Sequence, residues 1–534
     1  MSSTWLWLIG LGPIALGLVG FAPSVSSPRS LEWRMIAAKC AAALTVLLAV
    51  GGAVDVVSNG TLRTPLVGFS GIGASLYLDA LSAMMFCLVA LIGLVVVVYS
   101  DHYLDGDLEQ ERFIRQLCLT LAAVLTAIIS GNLLLFALAW VLTSLGLHRL
   151  LVFYPERQAA VLAARKEFLV SRLGDLCLLA AIVLLYQHFG SLQYETLFPA
   201  ASGLHAESTP LWLHACALLL VSTALLKSAQ FPSHGWLIEV METPTPVSAL
   251  LHAGIINAGG FLVLRFSHVI SLSTPSLYVL AIVGGLTALF GSVVMLSQTS
   301  IKVSLAYSTI AQMGFMMLEC GLGAFSAALL HILAHSLYKA HAFLSSGSVI
   351  DIARSSWTPS PGGKPHPARL AISFIAVMVV TIATSMFFSS TITEKPGAFA
   401  LGAVVVLGLI LLLENGIDER PSPYVIVRTA LLAVVVALVY FSLQYGMELL
   451  LTGSVPPTQS LRGPFDFAIV LMILLSFAIV TLFQSILPGQ SKELRWQALY
   501  AHLSNGLYVN TFANRWILRY WPIPPTSLRS GERR

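Results

Sequence analysis

A lysine in apolar sequence, Lys227, is the residue best placed to bind and release a proton. The apolar run from Trp212 to Leu226 ends at this lysine, and Pro232 follows shortly after it. Proline lacks a backbone N–H and kinks a helix, so the carbonyl left without a partner can hold water beside the ammonium. A lysine partly removed from water exchanges its proton more readily. These residues predict an ion site at Lys227; the alternative is a lysine whose ammonium reaches the membrane interface.

A second interruption of the apolar sequence lies close by. Pro244 and Pro246 precede His252, which follows three apolar residues. Irregular backbone at membrane depth is found only where protein or a water-filled cavity surrounds it. A lone histidine is more often a hydrogen-bonded core residue than a proton relay, but the proline interruption favours a relay. Both interpretations stay open for His252.

Three further titratable residues are regularly spaced in the predicted helix Ala324–Ile350. His331, His335 and Lys339 occupy positions i, i+4 and i+8, whereas His341 lies off that face. The spacing places the three side chains in a row over ~12 Å of one helix face. Imidazole accepts a proton on one nitrogen and donates from the other, so such a row can pass protons. The alternatives are a polar contact between helices or a metal site.

No metal or cofactor site is predicted in this chain, and no catalytic residue. The paired histidines have no third ligand nearby in the sequence, and metal sites need three or four. The six cysteines stand alone, without the CxxC spacing typical of metal ligands.

An aspartate, Asp175, begins another apolar helical stretch, and two partners are open to it. Arg172 stands three residues earlier on the same predicted helix face, so a local ion pair is the simpler interpretation. The functional interpretation is a counter-charge for Lys227, supplied from a neighbouring helix.

Composition identifies the class of protein that must position these residues. Of 534 residues, 57% are hydrophobic and 10% are charged, and the mean hydropathy is +0.84. Soluble domains carry roughly 25% charged residues. Long apolar runs such as Asn132–Phe153 and Leu277–Leu296 recur, and at about 20 residues a span they predict about 15 transmembrane helices. The sequence predicts an all-α polytopic membrane protein, and the net charge of +4 gives no reason to expect nucleic acid.

Basic residues predict the orientation and divide the chain. Arg and Lys concentrate after the first helix, around 149–166 and in the tail, whereas the loop 190–210 has none. By the positive-inside rule, the amino terminus is outside and the carboxy terminus cytoplasmic. We distinguish amino-terminal helices (1–112), a core rich in polar residues (113–352), carboxy-terminal helices that act as scaffold (353–487) and a basic tail (488–534). The stretch Leu494–Tyr520 predicts one interfacial helix that anchors to lipid or docks a cytoplasmic partner.

With these residues placed, the chain resembles the antiporter-like membrane subunits of respiratory complex I and the large subunit of Mrp antiporters. The resemblance extends from about Leu76 to Ile350. The motifs that carry it are Ser130-Gly131-Asn132 with Trp140, Lys227-Ser228-Ala229-Gln230, Pro244 through Ala253, Ile301-Lys302 with Tyr307-Ser308-Thr309, and His331 through Lys339.

The resemblance implies inverted five-helix repeats with broken helices around a central proton path. The residues that match the path are Asp175, Lys227, His252, Lys302, His331, His335 and Lys339. Two positions depart from the family pattern. Val141 stands where the family has a glutamate after Trp140, which leaves Asp175 as the expected partner of Lys227. Ser390 stands where the family has a terminal lysine.

The end of the chain also departs from complex I, because no long lateral helix follows. The shortened tail, with Trp496-Gln497-Ala498-Leu499-Tyr500, is similar to the DabB subunits of DAB-type inorganic carbon accumulation systems. This resemblance implies a subunit of the bacterial inner membrane that conducts a cation, expected to be H⁺. It implies a zinc-bearing DabA-type partner that hydrates CO2 to bicarbonate, so that catalysis and zinc belong to the partner.

Two other functions stay open. The chain could be an antiporter-like subunit of a complex I-like NADH:quinone oxidoreductase or an Mrp-type Na⁺/H⁺ antiporter. It could also be a scaffold that conducts nothing, which the residues Val141 and Ser390 would suit.

Overall fold

The chain forms a helical bundle with broken helices at its centre. A computed structural model describes residues 3–23, 28–204, 209–346, 402, 423–457, 464–486 and 494–522. Within these residues seven helical segments are long and apolar enough to cross a membrane: Ser30–Asn59, Ala80–Tyr103, Gln110–Ile129, Leu133–Leu151, Gln158–Phe189, the broken segment Thr245–Arg265, and Thr274–Leu296. Four shorter apolar helices accompany them. The all-α membrane fold is thus confirmed, whereas the number of about 15 spans stays a prediction.

The helices have the following bounds: α1 Ser3–Ile9, α2 Leu11–Phe21, α3 Pro28–Asn59, α4 Ala80–Tyr103, α5 Gln110–Ile129, α6 Leu133–Leu151, α7 Gln158–Phe189, α8 Tyr194–Ser202, α9 Leu211–Lys227, α10 Gly235–Glu239, α11 Thr245–Ala253, α12 Ala258–Arg265, α13 Ser267–Ile270, α14 Thr274–Leu296, α15 Ile301–Gly321, α16 Phe325–Leu344, α17 Pro423–Leu450, α18 Pro464–Ile486, α19 Leu494–Ser504 and α20 Val509–Tyr520. Short 3₁₀ turns stand at Val240–Glu242, Ile255–Asn257 and Gly506–Tyr508.

Four short strands lie between α3 and α4. Strand β1, Leu62–Arg63, pairs antiparallel with β4, Tyr77–Leu78. Strand β2, Val67–Phe69, pairs antiparallel with β3, Ile72–Ala74. Since they connect the end of α3 to the start of α4, they mark one end of the bundle, which we call the far face.

The opposite end of the bundle carries the tail, residues 494–522, and we call it the tail face. Gln298, between α14 and α15, donates a hydrogen bond to the carbonyl of Ser504 at 3.1 Å. Lys166, near the start of α7, donates to the side-chain oxygens of Asn510 and Asn514, both at 2.7 Å. Helix α15 therefore runs from the tail face to the far face, and α16 returns.

The tail differs from its prediction as one helix. Gly506–Tyr508 separates α19 from α20, and both Leu507 and Tyr508 have left-handed backbone, with φ of 52° and 62°. The break turns α20 so that its asparagines reach the core.

The Pro- and Gly-rich segment 355–368 and the predicted departure at Ser390 lie outside the described residues.

Glycines set the spacing of α14 and α15, the pair that carries part of the site. A Cβ on Gly284 would lie 2.5 Å from the backbone nitrogen of Leu318, and one on Gly314 would lie 2.5 Å from that of Ala288. Small residues allow helix backbones in a membrane to approach closely, where van der Waals packing holds them. This contact fixes the position of α15 along the bundle axis relative to α14.

A buried ion pair joins the amino-terminal helices to the core near the far face. Arg265, at the end of α12, donates to both carboxylate oxygens of Asp79 at 2.9 and 3.0 Å. Asp79 also caps α4 through the backbone N–H of Ser82. The guanidinium carbon lies 5.5 and 5.8 Å from the ring centres of Tyr77 and Tyr194. The pair therefore fixes the outer end of a broken helix.

Replacing Arg265 by methionine is expected to destabilise the protein by about 3–5 kcal/mol, because it leaves the Asp79 carboxylate buried without a cation. Thermal unfolding of the detergent-solubilised protein, followed by size-exclusion chromatography, measures this loss. The double variant Asp79→Leu/Arg265→Met is expected to lose less, since no buried charge remains unpaired. Unfolding of Arg265→Met at the wild-type temperature would contradict the assignment.

Candidate functional site

Lys227 is buried where α6, α7 and α9 meet. Its ammonium donates to Ser144 Oγ at 2.7 Å and to Ser171 Oγ at 3.3 Å. The carboxylate Oε1 of Glu167 lies 3.5 Å away, and this carboxylate also accepts from Ser171 at 2.6 Å. The ring centre of Trp140 is 5.8 Å from the ammonium. The predicted buried lysine site is therefore present, with two hydroxyls and one carboxylate around it.

The partner predicted for Lys227 is wrong. Asp175 forms an ion pair with Arg172 at 2.9 Å, which was the simpler of the two interpretations. It still lies within electrostatic range of both Lys227 and Glu167. The direct counter-charge is Glu167, because α7 turns Glu167 and Ser171 toward the ammonium and places Asp175 one turn further on.

Sequence reasoning missed Glu167, although a signal was present. Glu167, Ser171 and Asp175 stand at i, i+4 and i+8 of α7, and all three are buried. This is the same spacing that identified the histidine row. Glu167 thus supplies, from α7, the carboxylate that Val141 on α6 lacks.

The two broken helices meet at their interruptions. Helix α9 ends at Lys227, and the chain becomes helical again only at Gly235. The second break falls at Gly254–Asn257, between α11 and α12. Ser228 Oγ donates to the carbonyl of Ile256 at 3.3 Å, which joins one break to the other. The interruption predicted at Pro232 is confirmed. Pro244 and Pro246 instead stand at the start of α11, and the second break follows that helix at Gly254.

His252 is fully buried one turn from the second break. Its Nδ1 lies 3.0 Å from Thr309 Oγ1 on α15. The Thr309 hydroxyl donates to the carbonyl of Leu305 at 3.1 Å, so its proton is already used. His252 Nδ1 is therefore the donor, and Nε2 carries the lone pair, with no partner among the described residues. The histidine has one nitrogen anchored and the other able to accept a proton.

The predicted row on α16 lies along one face, with His335 and Lys339 buried and His331 half-buried, and His341 lies exposed off that face. Lys339 donates to Ser308 Oγ at 2.8 Å and to the carbonyl of Leu305 at 3.0 Å. The rings of His331 and His335 have their centres 6.1 Å apart. His335 lies within electrostatic range of Lys339 and His252. The structure thus brings His252 to the row from a neighbouring helix.

Polar groups connect the lysine site to this row. Asn257, in the second break, donates to Ser336 Oγ at 2.8 Å, and Ser336 follows His335 on α16. Nε2 of His335 finds no protein partner within the described part of the chain. Buried polar atoms in such settings are satisfied by ordered water. We call Lys227, His252, His335, Lys339 and His331 the polar row.

Lys302 does not lie in the polar row. It is half-buried in the first turn of α15, on the tail face. It precedes Leu305, whose carbonyl accepts from Lys339, by one turn. The structure therefore places Lys302 at the tail-face end of the row.

A second carboxylate, Glu319, was also missed. It lies near the far-face end of α15, and both its oxygens are 3.2 Å from Nδ1 of His331. Its side chain is 5% exposed. The signal was a single carboxylate within the apolar sequence from Met313 to Leu322. The polar row thus has a carboxylate near each end, Glu167 beside Lys227 and Glu319 beside His331.

The tail is clamped to the core directly beside the lysine site. Lys166, the neighbour of Glu167 on α7, forms an ion pair with Glu239 at 2.7 Å. Asn510 and Asn514 donate to the other oxygen of Glu239 at 2.9 and 2.7 Å. We call these four residues the tail clamp. Within the described residues, no group of three or more His, Cys, Asp or Glu side chains could hold a metal ion.

Comparison with known families agrees with this geometry. A family model described as "NADH:quinone oxidoreductase/Mrp antiporter, TM" matches residues 130–358. A second, described as "NADH-Ubiquinone oxidoreductase (complex I), chain 5 N-terminus", matches residues 67–114. The fold is similar to a chain in the structure of the Mrp complex from Dietzia sp. DQ12-45-1b, with a TM-score of 0.63 and 24% identity over 97% of this chain and 59% of that one. The protein is a membrane subunit of the antiporter-like superfamily.

Two curated relatives are more specific. The chain is 40% identical to the probable inorganic carbon transporter subunit DabB2 of Halothiobacillus neapolitanus, over 85% of this chain and 82% of that protein. It is 35% identical to the probable inorganic carbon transporter subunit DabB of Hydrogenovibrio crunogenus, over 97% of this chain and 95% of that protein. The chain belongs to the DabB family of inorganic carbon transporter subunits.

Proposed function

We propose that the chain conducts a cation, H⁺, through the membrane as one subunit of an energy-coupled inorganic carbon pump. The observation that carries this proposal is the buried Lys227–Glu167 pair, placed where two broken helices meet. Broken helices with ionisable residues at membrane depth are typical of ion sites in transporters. A site built only for stability would do better with apolar residues.

The proton path follows the polar row. This path requires water to reach Lys227 at the two breaks, where the Ser228 hydroxyl meets the Ile256 carbonyl. His252 and His335 each have an Nε2 without a protein partner in the described residues, so each can receive a proton there. Lys339 and Lys302 continue the row toward the tail face. Asp175, about two turns from Glu167 on α7, biases the charge of the Lys227–Glu167 pair.

The energy of this flow serves a partner. By analogy with the family, the partner is a zinc-bearing DabA-type protein that hydrates CO2 to bicarbonate on the cytoplasmic side. The subunit lies in the bacterial inner membrane, with its amino terminus outside and its tail in the cytoplasm. The tail is the contact for the partner, because Phe512, Trp516 and Tyr520 on one side of α20 are 67%, 62% and 69% exposed while its asparagines face the core.

Coupling between partner and path has a short physical route. Lys166 belongs to the tail clamp and Glu167 to the lysine site, and the two are adjacent on α7. A shift of α20 that pulls on Lys166 turns the same helix segment that holds Glu167. Docking on the tail therefore changes the distance between Glu167 and the Lys227 ammonium.

The experiment is purification of the tagged subunit from its native membrane, followed by transport assays. A single zinc-containing partner is expected, and bicarbonate accumulation by cells is expected to stop when a protonophore collapses the proton gradient. Flavin or iron–sulfur partners would support a complex I-like oxidoreductase instead, and a set of small membrane subunits would support an Mrp-type antiporter. Accumulation that continues at full rate with the protonophore would overturn proton coupling.

Breaking the tail clamp is expected to release the partner while leaving the membrane subunit folded. The variant Asn510→Ala/Asn514→Ala removes four hydrogen bonds to Lys166 and Glu239. Bonds to charged groups contribute about 1.5–3 kcal/mol each, so α20 is held more weakly at the clamp, while the contact of Arg165 with Trp521 remains. Copurified partner per membrane subunit measures the effect. The control is Asn59→Ala, whose partner is the half-buried Asp55 on its own helix. Full partner recovery with the clamp variant would contradict the docking role.

A further inference from the structure

We infer that Glu319 is the terminal proton-carrying group of the polar row and opens it to the far face. The inference rests on the proposed function, and it concerns where protons enter or leave the membrane on the side opposite the tail. The sequence has a serine, Ser390, where the resemblance predicts a terminal lysine, and Glu319 contacts the far-face end of the polar row.

Position is the first argument. Helix α15 runs from the tail face, where Gln298 bonds to Ser504, and ends at Gly321 on the far face. Glu319 is two residues before that end. Helix α16 begins at Phe325, so His331 is the member of its row nearest the far face and Lys339 the furthest from it. Glu319 therefore extends the row in the direction of the far face.

Contact is the second argument. Both carboxylate oxygens of Glu319 lie 3.2 Å from Nδ1 of His331. A proton can cross such a contact directly, from imidazolium to carboxylate or back. His331 is in turn beside His335, with ring centres 6.1 Å apart. These contacts form a continuous series of proton carriers from His335 through His331 to Glu319. All three belong to the residues that the structure describes.

Burial and surroundings are the third argument. The Glu319 side chain is 5% exposed in an apolar helix, where a carboxylate with a purely structural role is costly. Tyr440 on α17 lies within electrostatic range of Glu319. Beside it, Gln444 of α17 donates to Ser326 at the start of α16, at 3.4 Å. Polar groups thus continue from Glu319 between α16 and α17, where the rest of the surroundings are apolar.

The test measures proton flux into vesicles that carry the purified complex. Glu319→Gln keeps the size and hydrogen bonding of the side chain but cannot carry a proton. Flux is expected to fall to the level of vesicles without protein, because an amide cannot take up the proton that His331 releases. The matched control is Glu195→Gln, a carboxylate on the same face whose pair with Arg63 is about half exposed, and its flux should equal that of the wild type.

Two comparisons keep the outcome decisive. If Glu319→Gln does not assemble, His331→Gln interrupts the same sequence of proton carriers one residue earlier. Wild-type flux in an assembled variant of either residue would overturn the role of Glu319 as the terminal proton carrier. Lys227→Met is measured in parallel. Lost flux in Lys227→Met with normal flux in Glu319→Gln would refute only the role of Glu319 as terminal proton carrier. Normal flux in both variants would refute the proposed function itself.

Discussion

Replacing Lys227 by methionine abolishes both proton flux and bicarbonate accumulation, if the lysine site is the centre of the path. Methionine fills a similar volume but cannot bind a proton. It also leaves Glu167 buried without its cation, and such a carboxylate takes up a proton and becomes neutral. Flux into vesicles, normalised to the amount of assembled complex, is expected to fall to the level of vesicles without protein.

Lys227→Arg separates proton transfer from simple charge pairing. Arginine keeps a positive charge and hydrogen bonds beside Glu167, but it does not release its proton in proteins. If Lys227 only stabilises the fold, arginine should restore function; if it carries protons, the arginine variant is as inactive as the methionine variant. The control is Lys39→Met, which removes a partly exposed lysine paired with Asp101. Wild-type flux in the arginine variant would mean that Lys227 serves only as a structural cation. That result would favour the non-conducting scaffold.

Much of the lysine site could be predicted because its signals are local. Pro232 marks the break after Lys227, and the spacing of His331, His335 and Lys339 follows from the period of a single helix. Burial in the structure agrees with that spacing. Such patterns need no knowledge of which helices are neighbours.

Pairing between distant helices could not be predicted in the same way. Asp79 and Arg265 are 186 residues apart, and Lys166 and Asn510 are 344 apart. The choice of Asp175 as partner for Lys227 failed for this reason. The sequence shows which face of α7 is polar, but not which residue along that face lies opposite the end of α9. The vertical position is set by packing, here by the approach of the Thr223 hydroxyl, which is shared with the carbonyl of Leu219 on its own helix, to within 3.1 Å of the Gly174 carbonyl.

The two missed carboxylates change how the departures from the family pattern are understood. Val141 and Ser390, taken alone, suggest a path that has lost charged groups at two places. Glu167 and Glu319 place carboxylates beside Lys227 and His331 from other helices. At Lys227, a carboxylate supplied by α7 instead of α6 keeps the electrostatics of the site while the residue pattern along the sequence changes. At His331, Glu319 supplies a group that can carry a proton, although its charge is opposite to that of the lysine in the family pattern.

Neutralising Glu167 tests that relocation directly. Glu167→Ala leaves the Lys227 ammonium buried without an anion, and breaking a buried pair costs about 3–5 kcal/mol. Without its counter-charge the ammonium loses the group that holds it in place, and flux is expected to fall at least about tenfold. The double variant Val141→Glu/Glu167→Ala returns the carboxylate to α6, next to Trp140, whose ring lies 5.8 Å from the ammonium. Recovery of flux in the double variant, with Val141→Glu alone as the control for added charge, would mean that the site requires a carboxylate beside Lys227 from either helix. Wild-type flux in Glu167→Ala would instead show that Ser144 and Ser171 suffice to hold the lysine, and that its counter-charge has no part in conduction.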